Sequence, residues 1–158
     1  MSSQKPNSDR SHTIAVLVDN EPGVLARVIG LFAGRGYNIE SLTVSEVDAV
    51  KGYSRITIVT SGTDMVIEQI KALLARLVPV HMVEDLTVQG PCLERELALV
   101  KVVNAGENRI EALRIADMFR ARAIDSTLNS FVFELTGSPK KLNAFIELMS
   151  GLGETEIT

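Results

Sequence analysis

The sequence contains few of the residues on which covalent chemistry, metal binding or base stacking depends. Its 158 residues include one cysteine, two histidines, no tryptophan and only 4% aromatic residues. The single cysteine, Cys92, excludes a disulfide within the chain and any zinc cluster built on cysteines. The formal net charge of −4 argues against a dedicated nucleic-acid-binding protein, which usually carries a basic patch. The longest apolar stretches have the length of a strand, so no segment can span a bilayer.

The composition does allow packed cores. Hydrophobic residues make up 46% of the chain, which is enough for an ordinary core or for two small domains of about 70 residues each. Residues 1–11 (MSSQKPNSDRS) are polar and lack the apolar run of a signal peptide. We therefore expect residues 1–11 to be a disordered leader on a cytoplasmic protein.

Apolar periodicity predicts a first domain over residues 12–88. A buried strand is followed by a helix from Val24, which Gly34 or Gly36 ends with a left-handed cap. A second helix is capped by Ser61 or Thr63 and ended by Pro79. The predicted strands are His12–Asp19, Asn38–Glu46, Tyr53–Thr60 and Val80–Val88. This order is the split β-α-β arrangement, in which one antiparallel sheet carries two helices on a single face.

The same order recurs after a linker at 89–94, which predicts a second domain over 95–158. Its strands are expected at 97–103, 123–128, 131–136 and 154–158, and its helices at 108–122 and after the Ser138 cap. The first of these helices is predicted to bury Ile110, Leu113, Ala116 and Phe119. The predicted fold class is therefore α+β, with two ferredoxin-like βαββαβ domains in tandem.

The two halves also align locally without a gap, at the separation of 76 residues that joins Ser54 to Ser130. Positions brought together in this way include Val59 with Leu135 and Val66 with Leu142. Equal spacing of strand, cap and helix positions suggests a degenerate duplication. The alternative is chance similarity between two strand-helix units.

No motif of a known enzyme class is present in the sequence. It has neither a Gly-x-Ser-x-Gly elbow nor a Walker-type phosphate loop. The glycines of Gly34-Arg-Gly36 follow a helix, whereas a dinucleotide loop follows a strand. His12 and His81 have no second histidine or cysteine at ligand spacing, so we expect no metal site. The RNA-recognition fold shares the order of elements, but its two central strands would offer only Tyr53 for stacking bases.

The turn between the first strand and the first helix is the remaining candidate for a binding site. Residues 20–23 (NEPG) end the strand, and a helix opens directly afterwards. A helix start presents unpaired backbone N–H groups and positive dipole character, which suit a carboxylate. Gly23 has no side chain to obstruct close approach, and Asn20 can cap the helix or offer its amide to a ligand. The simpler alternative is that Asn20 is only a cap and Gly23 only a turn residue.

A second polar position is expected across the sheet. Asn38 is predicted to begin the second strand, beside Ile39, and to offer a ligand another side-chain amide. The simpler alternative is that Asn38 begins the strand and has no role in binding. Val24 and Leu25 supply a small apolar wall. A carboxylate site, a polar group that accepts from an ammonium and an apolar wall together suit a branched amino acid. The candidate effector-binding residues are therefore Asn20, Gly23, Val24, Leu25, Asn38 and Ile39.

Several segments resemble one family. The first strand, the turn at 19–25 (DNEPGVL) and the amphipathic helix after it are together similar to an ACT domain. The segments that more specifically resemble the small subunit of acetohydroxyacid synthase (acetolactate synthase) are VLARVIGLF (24–32), RGYNIESLTV (35–44), SRITIV (54–59), LVPV (77–80), ERELALVKV (94–102) and ID (124–125). The resemblance covers essentially everything after residue 11.

This resemblance implies a non-catalytic regulatory partner of a thiamine-diphosphate-dependent catalytic subunit in valine, leucine and isoleucine synthesis. Small subunits of this family activate the large catalytic subunit and confer feedback inhibition, usually by valine. Their effector sites lie where two ACT domains meet in a homodimer, and the positions that match are the six residues named above. Thiamine diphosphate, magnesium and FAD belong to the catalytic chain, so none is assigned here.

The sequence departs from the family pattern at its end. Family members usually continue past the last strand with a short basic tail that contains Gly and Arg, whereas this sequence stops at residues 154–158 (ETEIT). We therefore expect a truncated or diverged end in the second domain. Two rival functions are a generic amino-acid-binding ACT module for another biosynthetic enzyme and an autonomous enzyme on the same scaffold.

Overall fold

The computed structural model describes residues 10–103 and 106–158, and the chain divides after Cys92 into two units. The elements of the first unit are β1 (Arg10–Asp19), α1 (Val24–Gly34), β2 (Ser41–Asp48), β3 (Tyr53–Gly62), α2 (Asp64–Ala75) and β4 (Val80–Asp85). They form an antiparallel sheet in the order β2-β3-β1-β4. None of the helices in the described ranges has the length and apolar character needed to cross a membrane.

The second unit repeats this topology. Its elements are β5 (Glu96–Val103), a turn of 3-10 helix (Gly106–Asn108), α3 (Arg109–Phe119), β6 (Arg122–Ser126), β7 (Ser130–Gly137), α4 (Pro139–Ser150) and β8 (Glu154–Ile157). The sheet order is β6-β7-β5-β8, again antiparallel. Two βαββαβ units with antiparallel sheets confirm the predicted α+β fold class. The last strand is paired with β5, and Thr158 exchanges two backbone hydrogen bonds with Leu99.

Alternation of buried and exposed residues in β1 and β3 builds the core of the first unit. Residues two apart in a strand point to the same face of the sheet, and here that face is apolar over Ile14–Val18 and Ile56–Ile58. The helix residues packed against it are Val24, Val28, Phe32, Ile67, Ile70 and Leu74. Both helices therefore cover one face of the sheet, and β2 and β4 are its edges.

The core of the second unit contains more aromatic residues. Phe133 and Phe145 meet edge to face, with ring centroids 6.0 Å apart, which is a favourable arrangement for aromatic rings. Ser138 accepts a hydrogen bond from the Lys141 backbone N–H, and Pro139 occupies the first turn of α4. The predicted start of this helix is therefore confirmed.

β1 begins two residues earlier than predicted. Arg10 and Ser11 fall in the segment expected to be a disordered leader, yet they pair with Gly62 and Ser61 of β3. The reason is that β3 itself continues past Thr60, so its backbone groups are available to the start of β1. Residues 1–9 of the predicted leader lie outside the described residues.

Several other predicted ends were wrong because local caps stop the elements early. α2 ends at Ala75, well before Pro79. β4 ends at Asp85 rather than at residue 88. At this end, the Asp85 carboxylate accepts a hydrogen bond from the Thr87 backbone N–H. α3 ends at Phe119 rather than at residue 122, because Arg120 takes a left-handed conformation with φ of 58° and so cannot continue a right-handed helix.

The predicted inward face of α3 is wrong in two of its four residues, whereas Ala116 and Phe119 pack inward as expected. Ile110 is 73% exposed and Leu113 is 45% exposed, although both were expected in the core. The residues that pack inward are Ala112, Ile115, Ala116 and Phe119. This stripe has the same helical spacing as the predicted one, but its two alanines are small. The helix face that contacts the core includes these two small residues, and Ile110 lies outside that face.

The repeat is present in the fold, but at a separation of 75 residues rather than 76. The caps Thr63 and Ser138 are related by this spacing, and α2 and α4 have equal lengths. The buried helix residues also correspond, as Ile67, Ile70 and Leu74 with Leu142, Phe145 and Met149. The predicted spacing placed half-buried Val59 on buried Leu135. A one-residue slip exchanges the two faces of a strand, so the predicted alignment was wrong.

A buried histidine–aspartate pair ties the start of β1 to the end of β4. His12 and Asp85 are each 4% exposed, and His12 Nδ1 lies 2.7 Å from Asp85 Oδ2. Asp85 Oδ1 accepts from the Thr87 backbone N–H at 2.9 Å. A buried carboxylate is tolerated only when its oxygens are hydrogen-bonded, and here both of them are.

We expect His12→Leu to lower the free energy of unfolding by about 3 kcal/mol, because it leaves one oxygen of a buried carboxylate without its donor. Chemical denaturation measures this change. Adding Asp85→Asn in the same chain should recover part of the loss, because the group left behind is then neutral. Strict additivity of the two substitutions would contradict this account of the pair.

Candidate functional site

The turn after β1 is held at its root by backbone hydrogen bonds from two other segments. The Asp19 N–H donates to the Pro79 carbonyl at 2.9 Å, and the Asn20 N–H donates to the Gly52 carbonyl at 2.7 Å. Pro79 precedes β4, and Gly52 lies in the turn between β2 and β3. The position at which the chain leaves the sheet is therefore fixed by both neighbouring connections, although Asn20 itself is exposed.

The start of α1 has no side-chain cap. Gly23 is the N-cap residue in a left-handed conformation, with φ of 86°, and neither Asn20 nor any other side chain caps the helix. The alternative in which Asn20 is only a helix cap is therefore wrong. The first turn also contains no acidic residue. By contrast, α2 and α4 are capped by Thr63 and Ser138. The N–H groups in the first turn of α1 thus have no side-chain acceptor among the described residues, although the Val24 N–H donates to the Glu21 carbonyl at 3.4 Å. An anion site at a helix start uses N–H groups that lack such acceptors.

Backbone conformation, rather than crowding, explains the glycine at position 23. A Cβ added to Gly23 would have no heavy atom within 4 Å. However, a φ of 86° is one that residues with a side chain rarely adopt. The glycine thus allows the sharp change of direction from strand to helix, and it leaves the space in front of the helix start open.

The two residues after Gly23 have different roles. Val24 is only 4% exposed and packs in the core with Val28 and Phe32. Its side chain therefore forms no apolar wall for a ligand, contrary to the prediction, and its backbone N–H donates to the Glu21 carbonyl at 3.4 Å. Leu25 is 37% exposed and does present its side chain at the surface.

Asn38 does not open a strand, because β2 begins only at Ser41. The Asn38 carbonyl instead accepts a hydrogen bond of 2.6 Å from the Thr60 hydroxyl, while its own side chain is exposed. Ile39 is half-buried against the core. The sequence reasoning missed Thr60, which is fully buried in β3. Its only signal was a hydroxyl residue on the face of β3 that also carries Ile56 and Ile58, and buried Ser54 on the same face gives the same signal.

The structure does not bring the two halves of the predicted site together within one chain. Gly23 precedes α1 and Asn38 follows it, so the 11-residue helix separates them by about 16 Å at 1.5 Å per residue. They also lie at opposite ends of the sheet, since Asn20 follows the last residue of β1 whereas Asn38 bonds to Thr60, which pairs with His12. A single amino acid is too small to contact both.

The outward face of α1 is apolar. Arg27 is the only charged residue in the helix, and Leu25 and Ile29 are 37% and 41% exposed. Val44 on the edge strand β2 is 46% exposed, and it lies on the helix-bearing side because it pairs with buried Ile56. A helix that is apolar nearly all round is typical of one that is covered on both sides.

Two clefts lie elsewhere in the first unit. One, of about 330 Å³, lies between α2 and β4 and is lined by Glu68, Lys71, Ala72, Ala75 and residues 80–83. None of the six predicted effector residues lines it. Among the side chains that the structure describes, no three of His, Cys, Asp or Glu converge as a metal site would need.

Both units match models of known families. A model described as the AHAS small subunit-like ACT domain matches residues 14–82, and one described as the small subunit of acetolactate synthase matches residues 95–158. A crystal structure of the acetolactate synthase small subunit from Thermotoga maritima aligns with a TM-score of 0.81 and 37% identity. That alignment covers 94% of this chain and 93% of the other.

Curated relatives are similar over the same length. A probable acetolactate synthase small subunit from Archaeoglobus fulgidus is 47% identical over 146 residues, which cover 92% of this chain and 90% of the relative. The acetolactate synthase isozyme 3 small subunit of Escherichia coli is 47% identical over 133 residues, or 84% of this chain and 80% of the relative.

The conformation of Gly23 leads to a test of the helix start. Gly23→Ala should destabilise the protein by about 1 kcal/mol, because alanine is strained at a positive φ. Gly34→Ala, in the last turn of the same helix, should instead be neutral or stabilise it by about 0.5 kcal/mol, since an added Cβ there also meets nothing within 4 Å. Thermal or chemical denaturation of both variants checks the opposite signs, and equal effects would rule out the backbone explanation.

Proposed function

Because the chain belongs to the family of acetolactate synthase small subunits, as its sequence indicated, we propose that it regulates a separate catalytic subunit. In this proposal it activates that thiamine-diphosphate-dependent subunit and makes it sensitive to feedback inhibition by a branched-chain amino acid, with valine as the first candidate. The observation that carries the proposal is the similarity to small subunits over both units of the chain.

The proposed effector site uses the start of α1 for the amino acid's carboxylate. The uncapped N–H groups after Gly23 and the positive end of the helix dipole favour a negative group. Glycine leaves the approach open, and exposed Leu25 supplies the apolar contact for a branched side chain. Thiamine diphosphate, magnesium and FAD are assigned to the catalytic subunit, and none of them to this chain.

The ammonium group of the effector is assigned to Asn38 of a second copy. Thr60 already bonds the Asn38 carbonyl, so the exposed side-chain amide is not needed to hold the backbone and can accept from a ligand. The helix length keeps Gly23 and Asn38 of one chain apart, which favours a site completed across a dimer. An antiparallel arrangement of two α1 helices would place Gly23 of one copy beside Asn38 of the other.

A homodimer through the ACT domain would also cover the exposed apolar face of α1. A two-fold interface uses the same patch on both copies, and Leu25, Ile29 and Val44 provide such a patch. Among the described residues of the unit, β2 pairs with β3 and with no other strand, so its outer edge is available. Valine bound between the copies would favour one arrangement of the dimer, and the catalytic subunit would respond to that difference in stability.

The dimer can be tested with one substitution and a matched control. Ile29→Glu should convert the protein from dimer to monomer, because it places a charge in the apolar interface. Met65→Glu makes a similar change at an exposed apolar residue on α2 and should leave the dimer intact. Sedimentation analysis measures both. A dimer that persists in Ile29→Glu would exclude this face as the interface.

The regulatory role is tested by reconstitution with the large subunit of acetohydroxyacid synthase. We expect the isolated chain to turn over no pyruvate, and the mixture to exceed the activity of the large subunit alone and to be inhibited by valine. Gly23→Asp should retain activation but lose inhibition, because its carboxylate occupies the anion site. Gly23→Asn is the matched control: it is similar in size, is uncharged and tolerates positive φ, so it should retain more inhibition.

Each outcome separates the rivals. Turnover of pyruvate by the isolated chain would indicate an autonomous enzyme. Valine binding without any effect on the large subunit would favour a generic ACT module that serves another enzyme. Titration with valine, leucine and isoleucine identifies the effector, since one methylene changes binding by about 1–3 kcal/mol in an apolar pocket.

A further inference from the structure

A polar cluster lies directly beneath the turn that starts α1. His81 Nε2 is 2.6 Å from Asp19 Oδ1, and the His81 ring packs on Tyr53 with centroids 4.5 Å apart. Asp19 is the last residue of β1 and lies opposite Tyr53 in the β1–β3 ladder. The cluster thus joins the end of β1 to the beginnings of β3 and β4, one residue before Asn20.

A β-bulge explains how His81 reaches this position. In the ladder between β1 and β4, Val18 pairs with Val80 while Leu17 pairs with Met82. His81 is therefore the extra residue and has no partner in the ladder. Bulges bend a strand and re-aim the side chain of the extra residue. Here the bulge directs the His81 side chain toward the carboxylate of Asp19, which makes the hydrogen bond possible.

The His81–Asp19 hydrogen bond lies directly before a short, exposed segment of the chain. Asn20, Glu21, Pro22 and Gly23 are all exposed. The backbone bonds at their root run from Asp19 to Pro79 and from Asn20 to Gly52. The His81–Asp19 bond and the His81–Tyr53 ring contact together connect the ends of β1, β3 and β4 through side chains. The His81–Asp19 bond also holds the Asp19 carboxylate on the sheet, away from a helix start that would otherwise attract it.

We propose that His81 is a positioning residue for the turn at 20–23, acting through its hydrogen bond to Asp19. It orders the turn in the free protein and keeps a negative group from competing for the N–H groups after Gly23. The second part rests on the proposed function, because it concerns a carboxylate ligand. The ordering of the turn does not depend on any ligand and is tested separately.

Amide hydrogen exchange on the full-length chain tests the ordering. His81→Phe keeps a ring against Tyr53 but loses the bond to Asp19, whereas His81→Gln retains a donor. We expect the Asn20 amide to exchange roughly tenfold faster in His81→Phe, on the scale of one hydrogen bond to a charged group, and near the wild-type rate in His81→Gln. The amide of Glu40, which bonds to Val59 at 2.8 Å at the other end of the sheet, should not change. Unchanged exchange at Asn20 in His81→Phe, or equal acceleration in His81→Gln, would overturn the inference.

Calorimetric titration with valine tests the consequence for binding. In His81→Phe we expect valine affinity to fall roughly tenfold, and in His81→Gln to stay close to wild type, with the dimer intact in both. Wild-type protein that binds valine with the same affinity as His81→Phe overturns the binding part of the inference. Wild-type protein that binds no branched-chain amino acid contradicts the proposed function instead, and hydrogen exchange then still decides whether His81 orders the turn.

Discussion

One rigid helix sets the geometry on which the proposed regulation depends. α1 places Gly23 at its beginning and Asn38 beyond its end, and 11 residues of helix cannot be shortened without breaking its hydrogen bonds. If both residues hold one amino acid, the two halves of the site must come from two chains. Effector binding and dimer geometry would then be linked thermodynamically, since a ligand that bridges two copies stabilises the arrangement in which it fits.

The sequence predicted the elements and the fold class well, because both depend on local periodicity and on turn residues. It failed where two answers have the same period. Ala112, Ile115, Ala116 and Phe119 form as regular a helical stripe as the one that contains Ile110, and only packing against the sheet decides between them. The repeat was likewise displaced by one residue, because similar residues recur on both faces of short strands. The pattern of buried and exposed residues in the folded structure shows that corresponding residues of the two units are 75 positions apart.

The sequence predicted where the helix start lies but not which side chains surround it, and effector binding at this position stays a prediction. Gly23 and Leu25 were correctly expected at the surface of a helix start, whereas the Val24 side chain is part of the core. The roles of Thr60 and His81 are tertiary. Thr60 of β3 reaches Asn38, which precedes the neighbouring strand β2, and His81 reaches Asp19 because of a bulge. Neither contact leaves a trace at fixed spacing along the chain, so only the folded structure reveals them.

The two units share a topology, yet their first helices differ in the number of charged residues and in the contacts at their starts. α3 contains four charged residues in 11 positions, whereas α1 contains one. At the start of α3, the Arg109 guanidinium donates to the carbonyls of Thr127 and Leu128 and lies 4.1 Å from the Phe131 ring centroid. The start of α3 is thus bonded to its own unit through the guanidinium of Arg109. The start of α1 has no such tie, and its exposed face is apolar. The two helix starts therefore differ: the start of α3 is bonded to its own unit through Arg109, whereas the start of α1 has no side-chain cap, and this difference is the reason why the effector site is proposed in the first unit.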